Sequence, residues 1–124
     1  MKLRIATCKE LPEADADAEP LAAALAALSH PHDAPHARGF LGHADWRVRA
    51  AAARALRRIG SSEDFARLCA ALGDPNWWVR YRAAQAVCEL RGLDATELRA
   101  LPDRLTDAFA ADMLRQALAE RDAA

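Results

Sequence analysis

Residues 74–87, DPNWWVRYRAAQAV, repeat residues 43–56, HADWRVRAAAARAL, at an offset of 31 positions. The two copies share a tryptophan, a valine and an arginine, which are Trp46, Val48 and Arg49 in the first copy and Trp77, Val79 and Arg80 in the second. The second copy has an additional tryptophan, Trp78, in place of Arg47. A fixed period of 20–50 residues is typical of proteins built from stacked structural repeats.

The apolar residues of each copy follow the spacing of a helix. Those on the shared face are Val48, Ala52, Leu56 and Ile59 in the first copy, and Val79, Ala83, Val87 and Leu90 in the second. Between the copies, Phe65, Leu68 and Leu72 follow the i, i+3, i+7 pattern of another amphipathic helix. Asp45 and Asn76 precede the recurring tryptophans and are favourable N-cap residues. Each unit is therefore predicted to be a helix, a tight turn and a second helix.

We predict an all-α fold, a short α-solenoid of about three helical hairpins with an irregular N-terminal arm. A single hairpin cannot bury its apolar face alone, so stacking of neighbouring hairpins supplies the core. The repeat domain is predicted to span residues 18–124, with repeats at about 30–60, 61–92 and 93–121 and a half-repeat at 18–29. Residues 1–17 are predicted to form the arm or a short strand.

Composition and charge argue against several classes of protein. The net charge of the chain is −1, although residues 45–91 carry 9 basic and 5 acidic side chains. Three cysteines without a CxxC pair argue against a disulfide framework and favour a reducing, cytoplasmic location. No apolar run is long enough to span a membrane, so we predict no membrane contact from this segment. No GxSxG, GxGxxG or GxxxxGK[ST] motif occurs, so we predict no enzymatic activity and no cofactor.

The repeated motif resembles a known family. DPNWWVRYRAAQAV and HADWRVRAAAARAL are similar to the second helix of HEAT repeats, especially the bacterial group with phycobilisome-lyase-type repeats. The resemblance implies a scaffold that binds another protein, and it implies no catalysis. It also implies a structural ladder, in which a recurring arginine ties neighbouring repeats together through an aspartate. Arg49 and Arg80 are the matching arginines, and Asp45 and Asp74 are the candidate acceptors.

The three tryptophans are predicted to have different roles. Trp46 and Trp77 recur with the period, so we assign them to the structural ladder, where each ring covers a turn between stacked helices. Trp78 does not recur, and helical spacing places it near Tyr81 and Arg82. Because Trp, Tyr and Arg dominate the hot spots of protein interfaces, these last three residues are predicted to anchor a partner.

Arginines of the first copy supply a second set of candidate partner-binding residues. The predicted stack does not require Arg54, Arg57 or Arg58, and we expect them to steer an acidic protein towards the helical surface. The alternative is a nucleic-acid-binding protein that uses the Arg-rich strip of residues 45–91 together with its aromatic rings. The alternative predicts binding that falls steeply with salt, whereas a protein-binding module predicts binding that depends on Trp78.

Two further possibilities concern metal binding and self-association. His30, His32 and His36 lie within seven residues and could supply three metal ligands. Pro31 and Pro35 restrict that loop, so we predict a polar connector between helices and no metal site. A short solenoid has two end faces to cover, which leaves association of the chain with itself open.

Overall fold

The structure is a computed structural model that describes residues 18–123. The predicted N-terminal arm, residues 1–17, lies outside the described residues. Seven α-helices occupy the described range: α1 Ala18–Ala26, α2 Ala34–Gly39, α3 Trp46–Ile59, α4 Phe65–Ala71, α5 Trp77–Glu89, α6 Ala95–Arg104 and α7 Ala108–Ala123. Short 3-10 turns precede α2 and α4 and follow α2, and no strand is present between residues 18 and 123. The predicted all-α solenoid is confirmed over this part of the chain.

The odd-numbered helices form one layer and the even-numbered helices a second. α3 lies between α1 and α5, and α5 lies between α3 and α7. Each even-numbered helix packs on the odd-numbered helix that follows it, which gives the hairpins α2–α3, α4–α5 and α6–α7. The helix α1 adds one further element to the first layer. Within residues 18–123, no helix is both long enough and apolar enough to cross a lipid bilayer.

Side-chain caps fix where α3, α5 and α7 begin. Asp45, Asn76 and Asp107 each accept a hydrogen bond from the backbone N–H two residues later, at 2.9, 2.8 and 2.9 Å. Such a cap satisfies one of the backbone donors that the first turn of a helix leaves free. The predicted caps at Asp45 and Asn76 are confirmed. Asp107 lies one further period along the chain, so the same signal marks the start of all three helices.

Leucine, valine and alanine side chains fill the space between the two layers. The large side chains with no exposed surface include Leu21, Leu25, Leu28, Leu56, Leu68, Leu72, Leu114, Val48, Val79 and Val87. Each contributes roughly 1.5–3 kcal/mol relative to an exposed position. Ala52, Ala83 and Ala86 are also fully buried, and their small size lets neighbouring helices approach closely. Phe109 at the start of α7 is, by contrast, 78% exposed.

One ionic contact is buried where the first hairpin meets the second. Asp64 has no exposed surface, and its carboxylate accepts a hydrogen bond from Nε of Arg38 at the end of α2. The backbone N–H of Ser61 donates to the second oxygen of Asp64 at 3.0 Å. The hydrogen bond to Asp64 raises the pKa of the Arg38 guanidinium, and the negative charge of the carboxylate raises it further. Partial burial lowers this pKa but does not cancel the increase. The sequence pattern did not indicate this pair.

Candidate partner-binding groove

A shallow groove of about 430 Å³ runs along α1 and α3 to the first turns of α5. Its lining consists of Ala22, Ala23 and Ala26 from α1, Trp46, Arg47, Ala50, Ala51 and Arg54 from α3, and Trp78 and Arg82 from α5. The groove brings together three of the six partner-binding residues predicted from the sequence, namely Arg54, Trp78 and Arg82. The other three, Tyr81, Arg57 and Arg58, do not line it.

Alanines and tryptophans give the groove its shape and its apolar character. Ala50 and Ala51 are partly buried, whereas Trp46 is 40% and Trp78 is 47% exposed. A methyl group beside an indole leaves a depression, so a surface of alanines flanked by tryptophans is concave. Trp77 is 46% exposed but does not line the groove. The two neighbouring tryptophans are therefore almost equally exposed, and only their position relative to the groove distinguishes Trp77 from Trp78. Trp46 lines the groove, although its recurrence with the period had assigned it to the structural ladder.

The rings at the start of α5 pack against each other. Trp77 stacks on Tyr81 with centroids 5.1 Å apart and planes 9° apart, and Trp78 meets both rings edge-on at 5.0 and 6.0 Å. The guanidinium of Arg82 lies 5.7 Å from the centroids of Trp78 and Tyr81. The Tyr81 hydroxyl donates to Oε2 of Glu120 in α7 at 3.3 Å. The predicted proximity of Trp78, Tyr81 and Arg82 is confirmed, and the packed rings restrict the orientation of the Trp78 side chain.

The groove arginine Arg47 is already paired with carboxylates of the same chain. Its Nε and Nη2 donate to the two oxygens of Asp45 at 3.2 and 3.0 Å, and its Nη1 lies 3.7 Å from Oε1 of Glu19 in α1. The hydrogen bonds from Arg47 lower the pKa of Asp45 from 3.8 to about 2. The charge of Arg47 is therefore largely compensated within the molecule.

Arg54 and Arg82 are not compensated in this way. Within residues 18–123, the Arg54 side chain has no hydrogen bond and no ion pair, and Arg82 donates only to the neutral amide oxygen of Gln85 at 3.1 Å. Burial, followed by the positive charge of Arg54, lowers the pKa of the Arg82 guanidinium. Among the described residues no carboxylate lines the groove. In the part of the chain that the structure describes, two guanidinium groups thus share one surface with no carboxylate between them.

Arg57 and Arg58 make contacts between neighbouring repeats. Arg57 forms an ion pair with Glu89 at the end of α5. Arg58 donates from Nη2 to the carbonyl oxygens of Ala26 and Leu28 at 2.8 and 2.9 Å, so it caps the end of α1. Each partner lies 30 to 32 residues away in the sequence. That separation is close to the period of 31 residues, so the period could have predicted these contacts from the sequence.

The structural ladder predicted from the family resemblance has one aspartate contact among the described residues. Arg49 donates to both carboxylate oxygens of Asp74, from Nε at 2.8 Å and from Nη2 at 3.1 Å. Arg49 also donates from Nη1 to two backbone carbonyl oxygens just before α3, at 2.8 and 3.0 Å. Arg80 makes the equivalent contacts with the carbonyl oxygens of Asp74 and Pro75 at 2.7 and 3.4 Å, but it has no carboxylate partner among the described residues. Asp45 holds Arg47 and caps α3, so Asp74 is the acceptor that joins two repeats.

Histidine and cysteine side chains offer no reactive arrangement in the described part of the chain. The rings of His30 and His32 lie 4.3 Å apart, and Nδ1 of His30 accepts a hydrogen bond from the backbone N–H of His32 at 3.1 Å. No group of three or more His, Cys, Asp or Glu residues between positions 18 and 123 could hold a metal ion. Burial raises the pKa of the Cys69 and Cys88 thiols to about 11, so both are protonated at neutral pH.

Comparison with known proteins agrees with this architecture. The family model for HEAT repeats matches residues 11–88 and again residues 34–121. The two matches overlap and are shifted along the chain, as expected for a sequence in which one unit recurs. No curated protein and no solved structure gives a significant match. HEAT repeats are commonly protein-interaction scaffolds, and the family is typically non-catalytic. The family model covers well over half of the chain, which therefore belongs to the HEAT-repeat family.

Proposed function

We propose that this protein is a non-catalytic interaction module that binds another protein in the groove formed by α1, α3 and α5. The observation that carries the proposal is the pairing of two half-exposed indoles, Trp46 and Trp78, with alanines on one concave surface. Tryptophan and arginine are enriched among the residues that contribute most binding energy at protein interfaces. Arg54 and Arg82 lie on the same surface and favour an acidic partner.

The contacts of the arginines favour a protein partner over nucleic acid. Affinity for nucleic acid depends on several cations that each neutralise a phosphate. Within the Arg-rich strip of residues 45–91, Arg57 is paired with Glu89 and Arg47 with Asp45, while Arg58 caps α1. Among the described residues, the groove retains two uncompensated guanidinium groups, Arg54 and Arg82, beside an apolar surface that phosphates would not fill. Nucleic acid binding is the competing function, and capture with and without nuclease distinguishes it from protein binding.

An affinity capture with matched variants tests the proposed function. The wild-type chain, Trp78→Ala and Phe109→Ala are immobilised and exposed to a nuclease-treated lysate of the source cells. Both side chains are exposed aromatic rings, but only Trp78 lines the groove. We expect a defined protein to be retained by the wild type and by Phe109→Ala, and to be lost with Trp78→Ala. Retention of nucleic acid without nuclease, released at moderate salt, would contradict the proposal and favour the alternative.

The setting of this module is proposed from its thiols and its motif. Cys69 and Cys88 are free thiols, as suits a reducing, cytoplasmic compartment. The Trp-Trp-Val-Arg-Tyr stretch that begins at Trp77 supports placement among the bacterial, phycobilisome-lyase-type HEAT proteins. Recovery of the chain from the cytoplasmic fraction with both thiols reduced is the expected result. Recovery from an oxidising compartment with either thiol in a disulfide would contradict it.

A further inference from the structure

We propose that the groove binds one amphipathic helix of a partner protein, with a carboxylate of that helix held between Arg54 and Arg82. This inference rests on the proposed function and specifies the chemistry of the partner. Three properties of the described groove support it: the absence of any free backbone edge, the unpaired guanidinium groups, and the spacing of side chains along α3.

The lining of the groove favours a helical partner over an extended one. An occupant that displaces water from the groove must satisfy its own backbone N–H and C=O groups. The lining segments have no free strand edge: their backbone groups form hydrogen bonds within the helices or with capping side chains such as Asp45, Asn76 and Arg58. The lining itself offers methyl, indole and guanidinium groups. An extended segment would therefore leave backbone groups unpaired against alanine, and each buried unpaired group disfavours binding. A helix already has these hydrogen bonds.

The charges of the groove favour an acidic partner. Arg54 and Arg82 are close enough for their charges to interact, and no carboxylate lies between them in residues 18–123. A carboxylate bound there replaces repulsion between two cations by two charge-assisted hydrogen bonds. Arg82 is partly held already by Gln85 and by the Trp78 ring, so little side-chain freedom is lost when the anion binds.

The spacing along α3 defines the pattern expected in the partner. Arg47, Ala50, Ala51 and Arg54 occupy positions i, i+3, i+4 and i+7 and lie on one stripe of α3. The stripe is about 10 Å long at 1.5 Å per residue. A helix lying along it would place apolar side chains over Ala50 and Ala51 and an acidic side chain at Arg54. A second acidic residue two turns away would compete with Asp45 for Arg47.

A displayed library of single helices tests this pattern directly. The library presents an 18-residue helical scaffold randomised on one face, and it is selected on the folded wild-type chain. We expect the recovered sequences to be enriched in Asp or Glu flanking Leu, Ile or Met at i, i+3 and i+4 spacing. Synthetic peptides of the recovered sequences are then titrated against the wild-type chain and its variants by calorimetry.

Matched variants assign the binding to the two arginines. We expect the double variant Arg54→Gln with Arg82→Gln to weaken binding of these peptides at least about tenfold. Arg67→Gln is the control, because Arg67 is an exposed arginine on α4 and lies outside the groove. It should leave the affinity within about twofold. Asp45→Asn keeps the N-cap oxygen and frees Arg47, so it should tighten binding of peptides that carry two acidic residues.

The possible failures are distinguishable. Recovered sequences without acidic enrichment, or unchanged affinity in the double variant, would overturn the carboxylate site. Equal binding of a peptide with proline in its centre would overturn the helical partner. A library that yields no binder would overturn the inference as a whole. None of these results bears on whether a protein is captured from lysate in a Trp78-dependent manner. The capture experiment therefore tests the proposed function separately.

Discussion

Arg49 donates from Nε and Nη2 to both carboxylate oxygens of Asp74, whereas the same edge of Arg80 has no carboxylate to bind. One period after Asp74 the chain has Leu105, so the next acceptor of the ladder is missing. Nε of Arg80 is buried and has no hydrogen-bond partner among the described residues, although Nη1 still donates to the carbonyl oxygen of Asp74 at 2.7 Å. Within residues 18–123, the arginine–aspartate connection therefore joins the first hairpin to the second and does not continue to the third.

The two arginines provide a matched test of this connection. We expect Arg49→Ala to lower the free energy of unfolding by about 3 kcal/mol, because it leaves the mostly buried carboxylate of Asp74 without its cation. Arg80→Ala, the equivalent change one repeat later, removes hydrogen bonds to carbonyl oxygens only and should cost about 1 kcal/mol. Urea denaturation measures both values. Equal losses for the two variants would contradict a special role for the Arg49–Asp74 pair.

The buried carboxylate of Asp64 should be among the most sensitive positions of the chain. We expect Asp64→Ala to lower the free energy of unfolding by about 3–5 kcal/mol, because Arg38 would lose its buried partner. Glu63→Ala is the control: its side chain is 78% exposed and lies 3.7 Å from Arg38, so its removal should cost less than about 0.5 kcal/mol. Similar denaturation midpoints for the two variants would show that the Arg38–Asp64 contact contributes little.

The Asp45–Arg47 pair predicts a dependence of stability on pH. The pKa of Asp45 is lowered from 3.8 to about 2 in the folded chain, so its charged form stabilises the fold above about pH 4. That contribution is lost as the pH falls from about 4 to about 2. Asp45→Asn retains the capping oxygen, as Asn76 does in the next repeat, and removes the charge.

Thermal unfolding of wild type and Asp45→Asn across this pH range measures the effect. The wild type should be the more stable of the two at neutral pH, and the difference should vanish towards pH 2. Comparing the two chains at each pH cancels the titration of all other carboxylates. A difference that stays constant from pH 7 to pH 2 would mean that the lowered pKa of Asp45 does not contribute to stability.

The fold could be predicted because its signals are local and recur. The caps Asp45 and Asn76 and the apolar faces behind Trp46 and Trp77 each lie within one helix, and the period of 31 repeats them. Stacking follows from the need to cover those faces. The neighbourhood of Trp78 and Arg82 could be predicted for the same reason, since residues four positions apart in a helix are adjacent.

The composition of the groove could not be predicted from spacing within one helix. It depends on how α1 and α3 are rotated against each other, and this rotation turns Trp46 towards the groove and Arg58 towards the end of α1. The contacts of Arg57 and Arg58 do, however, lie one repeat away in the sequence. Searching for opposite charges and helix ends at a separation of about 31 residues would have indicated them.

The most direct test of the partner-binding groove is photocrosslinking from inside and outside it. A benzophenone amino acid is introduced in place of Ala23, an exposed residue of the groove, or in place of Ala66, an exposed residue of α4. After irradiation with source-cell lysate, we predict a protein adduct at position 23 that disappears with Trp78→Ala and is suppressed by an acidic helical peptide, and no such adduct at position 66. An equal adduct at position 66, a nucleic acid adduct at position 23, or an adduct of two copies of this chain would contradict the groove as the site for a partner protein.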